Sequence, residues 1–369
     1  MLTMGDYMRF NFMCRERVRN MGARVAVVGA GPSGLAATGY LSCEGYDVDV
    51  YDKLPLPGGL MVFAIPHWRI PPERVLNGAR ELEERFNVKF ILKTKVYSDG
   101  EVHEEGDDFV EKRASLEDLL GNYDLVLVST GTWVSKIPKL PGSSAKGVTT
   151  ALEYLYKWRV FEYGYTTSRP YVGKNVIVIG AGYSAVDAAE RALKAGSEVY
   201  LVYRRTIREA PAGIYEIERL KKEGVNFIEL VAPVEIVADS DVVKAVKLQK
   251  MTLGPPDETG RPKPIPVPGS EFVVEADLVI FATGESPTPP LSSSMAEKLG
   301  LKLNKDGTIA VNELMQTSVQ KLFAAGDVAT GPSRIGPAVR SGLKAARSMH
   351  YWFSVKTGRL ISPTQVAAK

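Results

Sequence analysis

The chain has 369 residues, 45% of them hydrophobic and 24% charged, with Lys+Arg 46 against Asp+Glu 43 and a net charge of +3. That length predicts two or three domains with a sizeable core, and so even a charge balance argues against nucleic acid or an anionic membrane surface as partner. No apolar run reaches the roughly 18–20 residues of a membrane span, and Asp6, Arg9, Arg15, Glu16, Arg17 and Arg19 deny the opening segment a signal peptide's apolar centre; a cytoplasmic protein is expected.

Residues 1–21 have irregularly spaced apolar positions and read as an N-terminal arm, either a docking segment or an ordered lead-in. The only cysteines are Cys14 and Cys43. With no CxxC pair, a thioredoxin-reductase-type redox disulfide and a cysteine-ligated iron–sulfur cluster within this chain are excluded, and two reduced thiols are expected. His67, His103 and His350 are scattered and form no zinc pattern.

Arg24–Val28 is a β-branched apolar run that leads into Gly29-Ala30-Gly31-Pro32-Ser33-Gly34. Helical spacing follows at Leu35, Ala36, Tyr40 and Leu41, then a second strand at Val48–Tyr51 that closes on Asp52. Gly29 permits the tight turn, Gly31 lets the backbone approach a pyrophosphate, and Gly34 allows close helix–strand packing. The helix N-terminus favours the phosphates, and Asp52 accepts hydrogen bonds from a ribose.

The pattern returns at Asn175–Ile179, Gly180-Ala181-Gly182-Tyr183-Ser184-Ala185, and a strand Glu198–Tyr203. This strand ends in Arg204-Arg205, with Arg208 close behind, and no acid. An arginine fork matches a ribose 2′-phosphate that an acid would repel. A pair of cofactors, FAD in the first unit and NADPH in the second, fits this contrast.

Two further apolar strands end in Thr-Gly, at Thr130-Gly131 and at Ala282-Thr283-Gly284, each suited to a turn beside a nucleotide. Leu253–Ser270 carries six prolines between flanking strand-like runs and predicts a β-hairpin excursion. The acidic stretch Glu101–Glu117 reads as a solvated surface. Near the end, Lys321–Gly326 is a strand closing on Asp327, suited to a ribityl chain. The small-residue helix that follows, opening near Ile335-Gly336-Pro337-Ala338, has its positive end placed for a reduced flavin's electron-rich edge. The fold expected is α/β with two Rossmann-like dinucleotide domains: residues 22–149 and 287–369 form the first, and residues 150–286 form the second, inserted into it.

The run Pro57–Pro71, with Gly58-Gly59-Leu60, Ile65-Pro66 and Arg69-Ile70-Pro71, resembles the flavin loop of the glutamate synthase small subunit family. Dihydropyrimidine dehydrogenase and the large subunit of NADH-dependent ferredoxin:NADP oxidoreductase share that loop. Tyr203-Arg204-Arg205 through Ala210-Pro211, and Gly260-Arg261 through Pro268-Gly269-Ser270-Glu271, are similar to further segments of the same family. The resemblance implies a pyridine nucleotide-disulfide oxidoreductase-like flavoprotein. FAD would be held by Gly29, Gly31, Ser33, Asp52 with neighbouring Lys53, Gly59-Leu60, Arg69, Val96 and Asp327. It implies NADPH, with NADH as the alternative donor, held by Gly182, Tyr183, Ser184, Arg204, Arg205 and Arg208. Asp52 stands where the family has Glu, and Tyr183 where it has Asp. Against the family's pattern, no N-terminal iron–sulfur domain is expected within these 369 residues.

The expected activity is electron transfer from NADPH through FAD to an external acceptor, an iron–sulfur protein or sister subunit. The alternatives are a stand-alone oxidase or diaphorase acting on quinones or oxygen, and a non-catalytic nucleotide-binding subunit. A homo-oligomer is compatible with all three. No nucleophile–base set stands out, and hydride transfer to a flavin needs none. His67 lies in the flavin loop as a candidate proton carrier, against the reading of a surface histidine.

Overall fold

A computed structural model describes residues 8–11, 13–17, 20–100, 102–257 and 260–358. The first half of the chain runs β1 (Arg24–Val28), α1 (Pro32–Cys43), β2 (Asp47–Tyr51), α2 (Leu60–Phe63), α3 (Pro72–Phe86), β3 (Val88–Ile91), β4 (Thr94–Val96), β5 (Lys112–Ala114), α4 (Leu116–Asn122) and β6 (Leu125–Val128). There follow β7 (Val134–Ser135), β8 (Val148–Thr150), α5 (Ala151–Glu162), β9 (Asn175–Ile179), α6 (Tyr183–Lys194), β10 (Glu198–Tyr203), α7 (Ile214–Glu223) and β11 (Asn226–Glu229). Then come β12 (Val231–Asp239), β13 (Val242–Pro256), β14 (Pro262–Glu275), β15 (Leu278–Phe281), β16 (Glu285–Ser286), α8 (Ser293–Leu299), β17 (Leu322–Ala324), α9 (Asp327–Thr330) and α10 (Ile335–Lys356).

The chain divides into two units. The first takes the chain up to Phe63, His67–Val134 and the part from Glu285 onward; the second takes Ala64–Pro66 and Ser135–Gly284. The main crossings thus fall at Ser135 and Glu285, the earlier one ahead of the Thr149 expected from sequence. The reason is β8, which pairs in parallel with β15 through Val148, Thr149 and Thr150 and so belongs to the second sheet.

The first unit is built on a five-stranded sheet of order β17-β6-β1-β2-β3, every pairing parallel. Such strands are covered on both faces, which is why β1, β2 and β6 are short apolar runs rather than alternating ones. Val25, Ala26 and Val27 are fully buried, as are Leu125 to Val128. At about 1.5–3 kcal/mol for each fully buried Val or Leu, these strands are a main source of the unit's stability.

The second unit repeats the plan with order β11-β10-β9-β15-β8, again all parallel. Its addition is a three-stranded antiparallel sheet, β12-β13-β14. The proline-rich stretch lies in this sheet as the expected hairpin, with Val246 opposite Val274, Leu248 opposite Phe272 and Pro256 opposite Pro262. Val246 and Leu248 pack with Ile236, Val279 and Phe281 in one core cluster, so the excursion is part of the second unit's core.

Two expectations are corrected, and the arm follows one of its two readings, the ordered lead-in. Cys14 and Cys43 form a disulfide, with Cα atoms 5.7 Å apart, in place of two reduced thiols. Sequence spacing gave no sign that the arm folds back to the end of α1. The arm's described residues pack on the first unit: Phe10 and Asn11 are buried, Met8 N–H donates to the Arg74 carbonyl at 2.7 Å, and Arg17 donates to the Gly45 carbonyl at 2.7 Å. Met1–Tyr7, Phe12, Val18 and Arg19 lie outside the described residues. Finally, the stretch Glu101–Glu117 is not simply a solvated surface. The carboxylates of Glu104 and Asp107 are only 10% and 11% exposed, because two lysines draw them inward; Glu101 lies outside the described residues.

Candidate nucleotide-binding sites

Both glycine signatures sit where their sheets change direction. In the first unit β1 lies between β2 and β6, and successive connections leave to opposite sides; β9 is flanked likewise by β10 and β15. Ligands of open parallel sheets bind outside the carboxyl ends of strands at this point.

Two of the three glycines of the first signature do structural work. Gly29 has φ of 102°, and a Cβ there would lie 2.4 Å from the Ser129 carbonyl oxygen. A Cβ on Gly34 would come within 1.9 Å of the Gly29 carbonyl, so only glycine lets α1 approach β1 so closely. Gly31 is the exception. Its Cβ would meet nothing within 4 Å, so a glycine is required there only if something else occupies that space. The second unit repeats the distinction: Gly180 has φ of 138° and would clash with Ala282 O at 2.5 Å, whereas Gly182 faces open space.

Helices α1 and α6 begin after Gly31 and Gly182 with no side-chain cap and no acid in the first turn. Their first N–H groups and positive ends are therefore offered to an anion. Pro32 at the start of α1 removes one N–H without cost to the helix. Next to it the Ser33 hydroxyl is buried with no hydrogen-bond partner among the described residues. A buried hydroxyl left unmatched leaves room for a polar ligand to complete it.

Asp52 directly follows β2 and is 8% exposed. Its carboxylate accepts from Ala30 N–H at 2.6 Å and from Leu54 N–H at 2.9 Å. Burial pushes this carboxyl above the ordinary range, while the two N–H groups and Lys53 pull it back. A recess beside Asp52 is lined by Gly29, Lys53, Lys95, Val96, Glu104, Thr130 and Trp133. Thr130 Oγ1 donates to the Thr288 carbonyl at 2.8 Å, and Gly131 takes φ of 78° to turn the chain there.

The return strand meets α1 at close range. A Cβ on Gly326 would lie 2.9 Å from Ser33 Cβ, and one on Gly342 of α10 would lie 2.2 Å from Ser33 O. Ser341 Oγ holds Gly326 N–H at 2.8 Å. Asp327 therefore stands next to Ser33, its carboxyl pushed up by burial and drawn down by the Ser333 hydroxyl at 2.7 Å. Gly336 and Pro337 are exposed on the first turn of α10, while Ala338 is buried. The helix begins at Ile335 and runs 22 residues.

In the flavin-loop segment Gly58 N–H donates to Ala30 O at 2.8 Å, and a Cβ on Gly59 would lie 3.0 Å from Gly31 Cα, so Gly59-Leu60 border the same cleft. Arg69 is half-buried. His67 is exposed and rests edge-on against Trp68, with ring centroids 5.0 Å apart, as a surface histidine.

In the second unit Tyr183 and Ser184 form the first turn of α6, and Ala282-Thr283-Gly284 follow β15 directly. Arg204 and Arg208 are exposed beyond the end of β10. Arg205 is engaged elsewhere. It is 2% exposed, its Nη2 lies 2.6 Å from Asp257 Oδ2, and its Nε donates to the Pro262 carbonyl at 2.7 Å. The arginine expected in a phosphate fork here braces the β13–β14 hairpin, since Asp257 and the Pro262 carbonyl at the hairpin's end both meet its guanidinium.

Sequence reasoning missed Lys95, Glu104 and Trp133 as site residues. Trp133 carried a signal in hindsight, three residues after Thr130, whereas nothing in the pattern marked Lys95 or Glu104.

Two glycine-signature units, each at the switch point of a parallel sheet and the second inserted into the first, define a two-nucleotide oxidoreductase fold. The chain matches the pyridine nucleotide-disulphide oxidoreductase family over residues 23–342 and belongs to it. The glutamate synthase [NADPH] small chain of Azospirillum brasilense is 34% identical over 96% of this chain and 71% of that protein. The NADP(+)-dependent formate dehydrogenase subunit beta of Moorella thermoacetica is 33% identical over 93% of this chain, which spans only 45% of that protein. Among solved structures, the FprA oxidoreductase of Mycobacterium tuberculosis superimposes with a TM-score of 0.73 at 18% identity, over 95% of this chain and 89% of that one. The likeness to FprA is one of fold. Among the described residues no helix is long and apolar enough to cross a membrane.

Proposed function

We propose that this oxidoreductase holds FAD in the first cleft and NADPH in the second, and delivers electrons to an iron–sulfur protein or sister subunit outside the chain. The observation that carries this reading is the opposite chemistry at the ends of β2 and β10. A buried carboxylate follows the first, and exposed arginines follow the second. A carboxylate suits the two hydroxyls of an adenosine ribose; guanidinium groups suit its 2′-phosphate.

In the first cleft, Ser33 and the first N–H groups of α1 would bind the pyrophosphate, Asp52 the adenosine ribose, and Asp327 the ribityl hydroxyls. The first turn of α10 would oppose negative charge on the ring. In the second cleft, the start of α6 would bind the pyrophosphate, with Arg204 and Arg208 on the 2′-phosphate. Bound together, the two cofactors supply hydride transfer from nicotinamide to flavin. The chain's own residues would position both groups.

Support for a subunit role comes from relatives named as subunits of glutamate synthase and of formate dehydrogenase. A further relative is the NADPH-Fe(3+) oxidoreductase subunit beta of Geobacter sulfurreducens. The test is direct. The purified protein is expected to show a flavin spectrum that NADPH bleaches faster than NADH, and to reduce iron–sulfur proteins faster than oxygen or free quinones. A colourless protein sinks the FAD assignment. Oxygen or quinone outrunning every protein acceptor makes it a stand-alone oxidase.

A further inference from the structure

The segment from Val102 to Val110 between β4 and β5 is bound to the first unit by buried charge. Lys53 Nζ lies 2.6 Å from Glu104 Oε2 and 3.4 Å from Asp107 Oδ1. Lys95 Nζ lies 2.6 Å from Asp107 Oδ2 and also donates to the Val102 carbonyl at 2.9 Å. Asp107 Oδ2 accepts the Glu104 N–H at 2.9 Å as well. All four side chains are 11% exposed or less. The segment is pinned sterically too: Gly106 has φ of 92°, and a Cβ there would lie 2.6 Å from Leu54 Cδ2. Phe109 meets Phe63 edge to face, with centroids 6.0 Å apart.

Lys53, Lys95 and Glu104 line the recess that Asp52 borders. Two ammonium groups beside an adenosine ribose are the chemistry that would capture a 2′-phosphate. Glu104 and Asp107 return the local charge to zero, and Glu104 adds a second carboxylate to the recess wall. Asp52 alone faces two lysines. It does not account for the exclusion of a phosphate by itself.

We propose that Glu104 and Asp107 are specificity-determining residues of the first site, neutralising Lys53 and Lys95 so that the site accepts an adenosine ribose with free hydroxyls and rejects its 2′-phosphate. This rests on the assignment of FAD to the first cleft. It gives the acidic segment a role that a brace would not have, which is to keep the two nucleotides from exchanging sites.

Displacement of bound FAD tests it, because released FAD fluoresces and reports the first site alone. Purified holoprotein is titrated with AMP and, separately, with adenosine 2′,5′-bisphosphate, which differ by the 2′-phosphate alone. In the wild type, AMP is expected to displace FAD at concentrations about tenfold lower than the bisphosphate. In Glu104→Gln, and more so in the Glu104→Gln/Asp107→Asn double variant, that ratio is expected to fall to one or reverse. Glu111→Gln removes the exposed Lys93–Glu111 pair at 2.7 Å on the same excursion and is expected to leave the ratio unchanged. A purely structural brace would weaken FAD retention against both competitors equally and keep the ratio, which overturns the proposal. Where the double variant fails to fold, Glu104→Gln alone decides, since Asp107 keeps both lysines partnered. If the wild type purifies without flavin, the FAD reading fails and takes this proposal with it; if flavin is present and the ratio does not move, only this proposal fails.

Discussion

The two nucleotide units share a backbone plan and part company at the end of their second strands. In both, a Cβ on the first glycine would collide with a carbonyl oxygen of the neighbouring switch-point segment: Ser129 O at 2.4 Å from one on Gly29, Ala282 O at 2.5 Å from one on Gly180. In both, the second glycine faces open space. The third position already differs. Gly34 has no room for a Cβ, whereas the second unit carries a fully buried Ala185. Then the first unit ends on Asp52, a buried acceptor, and the second on exposed Arg204 with Arg205 turned away into the hairpin. The shared part builds a helix start aimed at phosphate. The divergent part chooses which nucleotide arrives.

The largest effect tests the shared part. Gly29→Ala combines a left-handed backbone with a contact that real Cβ atoms do not make, and should cost more than about 3 kcal/mol. Loss of the thermal transition, or its fall by many degrees, checks this; a fully stable variant would show that the turn relaxes. Gly31→Val sharpens the comparison. Its side chain points into open space, so the thermal midpoint should hold while flavin is lost. Gly182→Val should do the converse, keeping flavin and losing NADPH.

Next comes Arg205→Ala. Removing one partner of a buried pair typically costs about 3–5 kcal/mol. Asp257 is 28% exposed and can recover some hydration, so the lower end is expected. The readout that separates a brace from a phosphate ligand is cofactor preference. Arg205→Ala should destabilise the protein and leave the ratio of NADPH to NADH affinity unchanged. A collapse of that ratio with stability intact would return Arg205 to the phosphate site.

The Arg204→Ala/Arg208→Ala double change should do the opposite. Charge-assisted hydrogen bonds are worth about 1.5–3 kcal/mol each, and both side chains are exposed, which reduces that. About a tenfold rise in the Michaelis constant for NADPH is expected, with NADH little affected and the thermal midpoint held. Equal losses for both donors would place the two arginines elsewhere.

These contrasts also mark where the sequence is readable. The strand–glycine–helix–strand units carry their own period and turn chemistry, so β1, α1 and β2 are legible locally, as are β9, α6 and β10. The proline-rich hairpin is legible for the same reason: apolar runs flank it symmetrically. What was hidden depends on contacts distant in sequence. Arg205 reads as half of a fork until Asp257 meets it 52 positions later. Cys14 and Cys43 read as separate thiols until the arm folds along α1. Glu104 and Asp107 read as solvated because an acidic run is most simply a surface; sequence does not show that Lys53, beyond another strand end, and Lys95 fold against them. Charge patterning shows surface composition, and burial of an ion pair is a tertiary event.

The smallest expected effect comes from Asp107 and concerns pH. Burial by itself pushes this carboxyl up, but the charge of Lys53 and the hydrogen bond from Lys95 outweigh it and hold the group below its ordinary value of 3.8. The folded state therefore binds its proton more weakly than the unfolded chain does. The stabilisation is fully present above that ordinary value and is lost as pH falls through the lower folded one. Glu104 and His103 also face Asp107, the histidine with Nδ1 at 3.7 Å and its side chain 81% exposed. A control is needed that keeps them in place. Asp107→Asn is that control, since it removes only the titrating charge. At neutral pH it should lower stability by on the order of 1 kcal/mol, less than the loss of a lone buried partner, because Glu104 still lies 2.6 Å from Lys53 and 3.8 Å from Lys95. As pH is lowered from about 4 through the folded value below it, the wild-type thermal midpoint should drop toward that of the variant. Curves that stay parallel over that interval would mean that Lys53 and Lys95 do not hold this carboxylate ionised.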